Sequence, residues 1–421
     1  MKSILSESSW VYNKKEDFKW VIFPALIGFA IIMVYQLMLY FNLPTELSMV
    51  IIFLTWACLF DGTHSFATYT RTYFDKSYYK KNKGFLLKSL LLFLVAPLYV
   101  LFFYFSNSSI EEASAAYVIF NRFAFFYAFY HLVRQHWGFV AIYRKKNNEK
   151  DTLSRRLDGT LLATGTIFPI IYNQIDKSYL LHVSETINIS LQIWEKVANS
   201  LLIVGVIIFI LSQFKILNLK KIGLHTISKL LILSALAVNL ILQFTLPVCL
   251  KYFSIILGAI FILAIGYYFL LNLKKEYSFK KNLPKWLLMI TVILSYNIIF
   301  MMDIPIIIVI AAITVFHNIQ YHRIINFHNT NKYKKEDKKV YGFAVVLTQR
   351  IGVFILFALL SNFFYHLPRF ASNLITENLL LNYILSGFFW GFAFHHYYLD
   401  SVIWKLKGNN ELDKDLKITN K

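Results

Sequence analysis

Apolar residues in this chain gather into runs of roughly 15–30, long enough to cross a bilayer as helices. About twelve such runs are expected as spans, near 19–41, 48–70, 86–106, 115–143, 159–173, 196–212, 224–244, 251–272, 285–301, 304–326, 341–363 and 379–405. The polar connections alternate in sign. Arg71 to Lys83, Arg144 to Arg156, Lys274 to Lys281 and Lys332 to Lys339 make basic loops, and Lys14, Lys15, Lys405 and Lys407 flank the ends. The intervening connections are short or carry acids such as Glu46, Glu111 and Glu112. Basic loops stay in the cytoplasm, so the alternation predicts an all-α, polytopic transmembrane helical bundle of about 12 spans with both termini cytoplasmic. The expected organisation is a polar segment at 1–18, a transmembrane domain at 19–405 and a mobile cytoplasmic tail at 406–421.

Composition agrees with that reading. Of 421 residues, 57% are hydrophobic and 16% charged, and the mean hydropathy is +0.53. A formal net charge of +20 does not indicate nucleic acid here, because the cations sit in short clusters between apolar runs. The first 18 residues are polar and the first apolar run is long enough to span, so no cleaved leader is expected. Two cysteines, Cys58 and Cys249, exclude a disulfide framework and a cysteine metal site. The expected location is a bacterial inner membrane.

Ionisable groups inside spans change the picture, since each costs roughly 2.5–3.5 kcal/mol near a helix centre. Four spans carry histidine: LFDGTH (Asp61, His64), YHLVRQH (His131, His136), FHNIQYH (His317, His322) and FHHYYLD (His395, His396, Asp400). In the expected topology all four run the same way. Their histidines then lie roughly 5–18 Å from the cytoplasmic boundary, at 1.5 Å per residue. Asp61/His64 and His396/Asp400 are i,i+3 and i,i+4 pairs, each on one helix face, where a carboxylate can co-ligate a metal or orient an imidazole. His131/His136 and His317/His322 are i,i+5, and in an ideal helix the members of each pair point about 140° apart. Both reach one site only across a π-bulge or between helices. Gln135 and Tyr321, each i+4 from the first histidine of its pair, are the alternative partners.

Arg134, Arg323 and Arg350 join the same slab. Arg134 and Arg350 are the candidates for holding an anionic head group, whereas Arg323, close to a span end, suits snorkelling. His182, His225, His328 and His366 read as surface positions, with His328 the nearest to the cluster. Imidazole and carboxylate without thiolate suit iron, manganese, copper or zinc. The seven clustered histidines and two aspartates exceed the ligand set of one structural zinc. One or two iron ions, or another transition metal, are the expected cofactor. His64, His131, His136, His317, His322, His395 and His396 are the candidate ligands, with Asp61, Asp400, Arg134 and Arg350 as catalytic partners.

The arrangement resembles the histidine-motif membrane oxygenases: the fatty-acid desaturase and hydroxylase group, and bacterial membrane enzymes that cleave carotene. HLVRQH is similar to the H-x(3–4)-H box of the first group. The adjacent His395 and His396 resemble the end of an H-x-x-H-H box, with Phe at 392 where that box begins with His. DGTH and FHNIQYH resemble motifs of the second group at altered spacing. The resemblance implies an iron-dependent oxidoreductase acting on a lipid or other hydrophobic substrate, supplied with electrons by a cytosolic donor. A proton-coupled transporter and a metal-independent lipid-modifying transferase are the alternatives. A transporter should show repeats and midplane polar groups, and a transferase acid-rich polar loops; the sequence displays neither clearly.

Overall fold

The computed structural model of the chain describes residues 9–107, 109–176, 204, 246–273, 279–375, 378–406 and 408–418. Apart from Val204, the expected spans at 196–212 and 224–244 lie outside the described residues, as do His182 and His225. All regular structure among the described residues is helical. The main helices are α1 (Pro24–Tyr40), α2 (Thr45–Trp56), α3 (Gly62–Thr70), α4 (Lys76–Ser89), α5 (Val95–Asn107), α6 (Ile110–Lys146) and α7 (Thr152–Asp176). They continue as α8 (Leu246–Leu273), α9 (Phe279–Met301), α10 (Ile306–Lys332), α11 (Phe343–Gln349), α12 (Ile351–Ile375), α13 (Leu379–Ile403) and α14 (Asn410–Asp415). Two compact units divide the chain, one of residues 1–166 with 261–421 and one of residues 167–260.

Among the described residues, five helical segments are long and apolar enough to cross a membrane: Lys14–Tyr40, Thr45–Thr70, Lys76–Ser106, Asn282–Met301 and Ile306–Lys332. The bent pair α11 and α12 makes a sixth if counted as one span. This is an integral membrane architecture, with fewer such segments than twelve among the described residues. The expected spans at 115–143 and 379–405 do form helices. Their apolar runs are broken by residues such as Asn121, Arg122, His131, Arg134, His395 and His396, so apolar content alone does not mark them.

One expected span is two helices. The run at 341–363 breaks at Arg350, whose backbone is non-helical (φ −125°, ψ 88°), and the pieces meet at 112°. The break falls where polar residues interrupt the apolar run. Gln349 donates to the Tyr333 carbonyl at 2.9 Å, and the Arg350 carbonyl starts the next helix by accepting from the amides of Val353 and Phe354.

Close packing positions the helices of the larger unit. At Gly28 on α1 an added Cβ would stand 2.3 Å from the Ala312 carbonyl oxygen on α10, so only glycine allows that approach. Gly62, two residues before His64, meets Asn362 of α12 in the same way: a Cβ there would stand 1.8 Å from the Asn362 Oδ1. The polar N-terminal segment is tied down through Asp17, which accepts from the amides of Val11 and Tyr12 and from the Tyr143 hydroxyl of α6.

The C-terminal tail differs from the mobile end expected of it. It forms α14, buries Leu412 and Leu416 at 1% exposure each, and receives a hydrogen bond from Asn331 of α10 on the Asp415 carbonyl. Two apolar residues one turn apart supply the driving force for that docking. His328 and His366 are also buried, not at the surface. α10 runs six residues past the expected span end, and His328 on that extension faces the Asp415 carboxylate of the tail.

Candidate metal centre

Four helices, far apart in sequence, each contribute to one buried cluster: α3 with His64 and Thr68, α6 with His131, α10 with His317 and Tyr321, and α13 with His396 and Asp400. α3 is preceded by a π-helical turn, Ala57–Asp61. Such a turn inserts an extra residue and rotates the helix beyond it, a device common at functional sites. Thr63 steadies it by donating back to the Leu59 carbonyl at 2.8 Å.

His64 Nε2 lies 3.0 Å from His317 Nε2 and 3.0 Å from His396 Nε2. His131 completes the group, its ring centroid 5.2 Å from that of His317 and 5.1 Å from that of His396. Two overlapping donor sets, His64/His131/His317 and His131/His396/Asp400, each hold their ligand atoms within 4.8 Å of one another. All five residues are buried.

Proton counting makes this arrangement informative. A neutral imidazole nitrogen carries either one proton or one lone pair. If His64 Nε2 is protonated, it has one N–H for two neighbours; if not, it has one lone pair for two donors. One contact is poorly served either way. The Nε2 of His131 is buried without a hydrogen-bond partner, which is costly in a protein interior. A cation at the Nε2 atoms would accept their lone pairs and remove the conflict, with each opposite Nδ1 carrying the proton.

The surrounding groups favour the same tautomer. An ionised Asp400 is acceptor-only. Its Oδ1 accepts from the Tyr321 hydroxyl at 2.6 Å and the Thr68 hydroxyl at 2.9 Å. The Thr68 oxygen also lies 2.6 Å from the Tyr321 hydroxyl and 2.7 Å from His396 Nδ1. With Thr68 donating to Asp400, His396 Nδ1–H donates to Thr68, and an unprotonated Nε2, the form that binds metal, faces the cluster. Trp404 donates its indole N–H toward the Tyr321 oxygen at 3.4 Å. Tyr397 stacks on the His131 ring at 4.1 Å, and Gln135 donates to the His317 carbonyl at 2.8 Å.

The remaining sequence candidates lie elsewhere. Each i,i+5 pair is divided, because α6 and α10 stay regular through it. His131 and His317 enter the cluster. His136 faces the Tyr296 hydroxyl at 3.3 Å, and His322 faces Thr63 Oγ1 at 3.1 Å. His395 is held by both nitrogens. Its Nδ1 meets the Tyr69 hydroxyl, and its Nε2 meets the hydroxyls of Tyr73 and Ser89 at 3.0 Å each. Those two hydroxyls also meet the Leu86 carbonyl, and His395 lies outside both donor sets. Asp61 ends the π-helical turn, half-buried and outside both donor sets. Arg134 and Arg350 are exposed, and Arg323 pairs with Glu16 at 2.9 Å.

Sequence reasoning missed Thr68 and Arg71. Thr68 stands four residues after His64, the same spacing that marked His396 and Asp400. Arg71 is buried just beyond the end of α3 with its cation 4.1 Å from the Trp404 ring centroid; burial lowers its pKa from the ordinary value. No known protein family, curated protein or solved structure matches this chain.

Proposed function

We propose that this chain is an integral membrane metalloenzyme whose centre is held by His64, His131, His317, His396 and Asp400, with iron as the preferred metal, and that it oxidises a lipid or other hydrophobic substrate. The observation that carries the reading is the approach of His64 Nε2 to two other imidazole nitrogens at 3.0 Å each, a geometry that a shared cation satisfies and protons do not. Four imidazoles and one carboxylate, with no thiolate, match iron, and two overlapping sets of three ligands would leave an ion held by either set with open positions. The metal would supply redox chemistry at that open position. The protein's own part is to orient the ligands: Thr68 and Tyr321 hold Asp400, and Asp400 acts through Thr68 to set the His396 tautomer. The apolar segments around the centre suit a substrate arriving from the bilayer. The basic loops and both termini are assigned to the cytoplasm of a bacterial inner membrane, which is the side from which a soluble electron donor would act.

Metal analysis of the purified protein after iron loading tests the proposal. The wild type should retain iron in stoichiometric amount, and His317→Ala and His396→Ala should lose it. His136→Gln should keep it, because His136 faces Tyr296 instead. A wild type that stays metal-free under these conditions would overturn the reading in favour of transport or metal-independent transfer.

A further inference from the structure

His64, Thr68 and Arg71 are spaced four and three residues apart, so they fall along one face of a helical turn pattern. Arg71 lies just past the end of α3, roughly 10 Å beyond His64 along its axis at 1.5 Å per residue. It is 8% exposed. Its Nη2 donates to the Ile403 carbonyl at 3.4 Å, its cation lies over the Trp404 ring, and its Nη1 is buried without a partner.

Among the described residues only Arg144 and Lys285 are comparably buried cations. Both reach Glu149 and Asp158. Among the described residues no carboxylate stands within ion-pair distance of Arg71. Asp400 and Asp415 act on it only at longer range. A buried guanidinium with a free edge and no contacting anion is costly unless something negative completes it. A guanidinium fork fits a carboxylate or phosphate through two parallel hydrogen bonds.

We propose that Arg71, backed by Trp404, binds the anionic head of an amphiphilic ligand, a carboxylate or phosphate joined to an apolar chain. Resting on the metalloenzyme reading, this ligand is the substrate. Its head at Arg71 sets the reacting carbon along the apolar chain, away from the head group, because Arg71 and the donor sets are separate groups of residues.

The test is binding by calorimetry to the full chain in phosphatidylcholine nanodiscs, with iron content measured on each sample. The probes are oleate, lysophosphatidate, acetate and inorganic phosphate. Wild type should bind oleate or lysophosphatidate saturably and acetate and phosphate far more weakly; whichever long-chain probe binds tighter identifies the head group. Arg71→Gln should weaken that binding about tenfold or more, the loss expected for hydrogen bonds to a charged group, with iron content unchanged. Arg134→Gln, at an exposed position, should bind as wild type. If Arg71→Gln does not fold, Arg71→Lys decides, since it keeps the charge and loses the fork; it should weaken binding several-fold. Unchanged affinity in the folded Arg71 variants would overturn the proposal. So would tight binding of inorganic phosphate with no gain from an apolar chain, or loss of iron in step with loss of binding, which would make Arg71 an electrostatic support of the centre. Arg71-dependent oleate binding to a metal-free wild type would uphold the head-group site while refuting its link to a metal centre.

Discussion

Thr68→Val is the sharpest perturbation of the hydrogen-bonded support around the candidate centre. The side chain is fully buried, and valine keeps its shape while removing the hydroxyl. Three contacts disappear: with His396 Nδ1 at 2.7 Å, with Asp400 Oδ1 at 2.9 Å and with the Tyr321 hydroxyl at 2.6 Å. The His396 N–H is left buried and unpaired, a penalty of about 1–3 kcal/mol. Asp400 loses one of its two hydroxyl donors and keeps the Tyr321 bond; a hydrogen bond to a charged group contributes about 1.5–3 kcal/mol. The imidazole is then free to turn or to take the other tautomer. Loss of such an orienting group lowers metal affinity by about 10–100-fold. Iron affinity measured by chelator competition should fall by that factor, whereas Thr68→Ser, which keeps the hydroxyl, should remain near wild type. A folded Thr68→Val protein that binds iron within about twofold of wild type would refute the argument that this hydroxyl orients a metal ligand.

Gly62→Ala should destabilise the bundle by about 1–3 kcal/mol through overpacking, since its Cβ would overlap Asn362; thermal melting and iron content should fall together because His64 lies two residues on. Gly28→Ala should lower the melting temperature by the same mechanism against the rigid Ala312 backbone, and an unchanged melt would contradict the packing described. Lys285→Met removes one cation from a buried network with Glu149 and Asp158, and should cost about 3–5 kcal/mol by leaving carboxylate charge uncompensated. Denaturant unfolding measures it, and a neutral effect would show that Arg144 alone neutralises the pair.

Much of the site was legible because helical spacing is local. Asp400 and His396 share a face by their i,i+4 separation, and the structure puts both in one donor set. The same rule exposed the difficulty with i,i+5, and the regular helices resolve it by turning His136 and His322 outward from the cluster. Tyr321, read as an i+4 partner, is bound to Asp400. What spacing along one helix does not encode is which helices become neighbours. Nothing local distinguishes His395 from His396, yet Tyr73 and Ser89 claim the first and His64 the second. The anionic-group role drew attention to Arg134 and Arg350 because they sit inside apolar runs. Both are exposed, while Arg71, assigned by its neighbours to a basic loop, is buried. The break at Arg350 and the docking of the tail were likewise invisible to run length. One depends on a polar interruption meeting the Tyr333 carbonyl; the other depends on two leucines finding a surface created by distant helices.

X-ray absorption at the iron edge, recorded on the iron-loaded wild type, tests the central claim most directly. The account predicts scattering from several imidazole rings together with a light-atom ligand from Asp400, diminished in His64→Ala. An iron signal without imidazole scattering, or one that His64→Ala leaves unaltered, would contradict it.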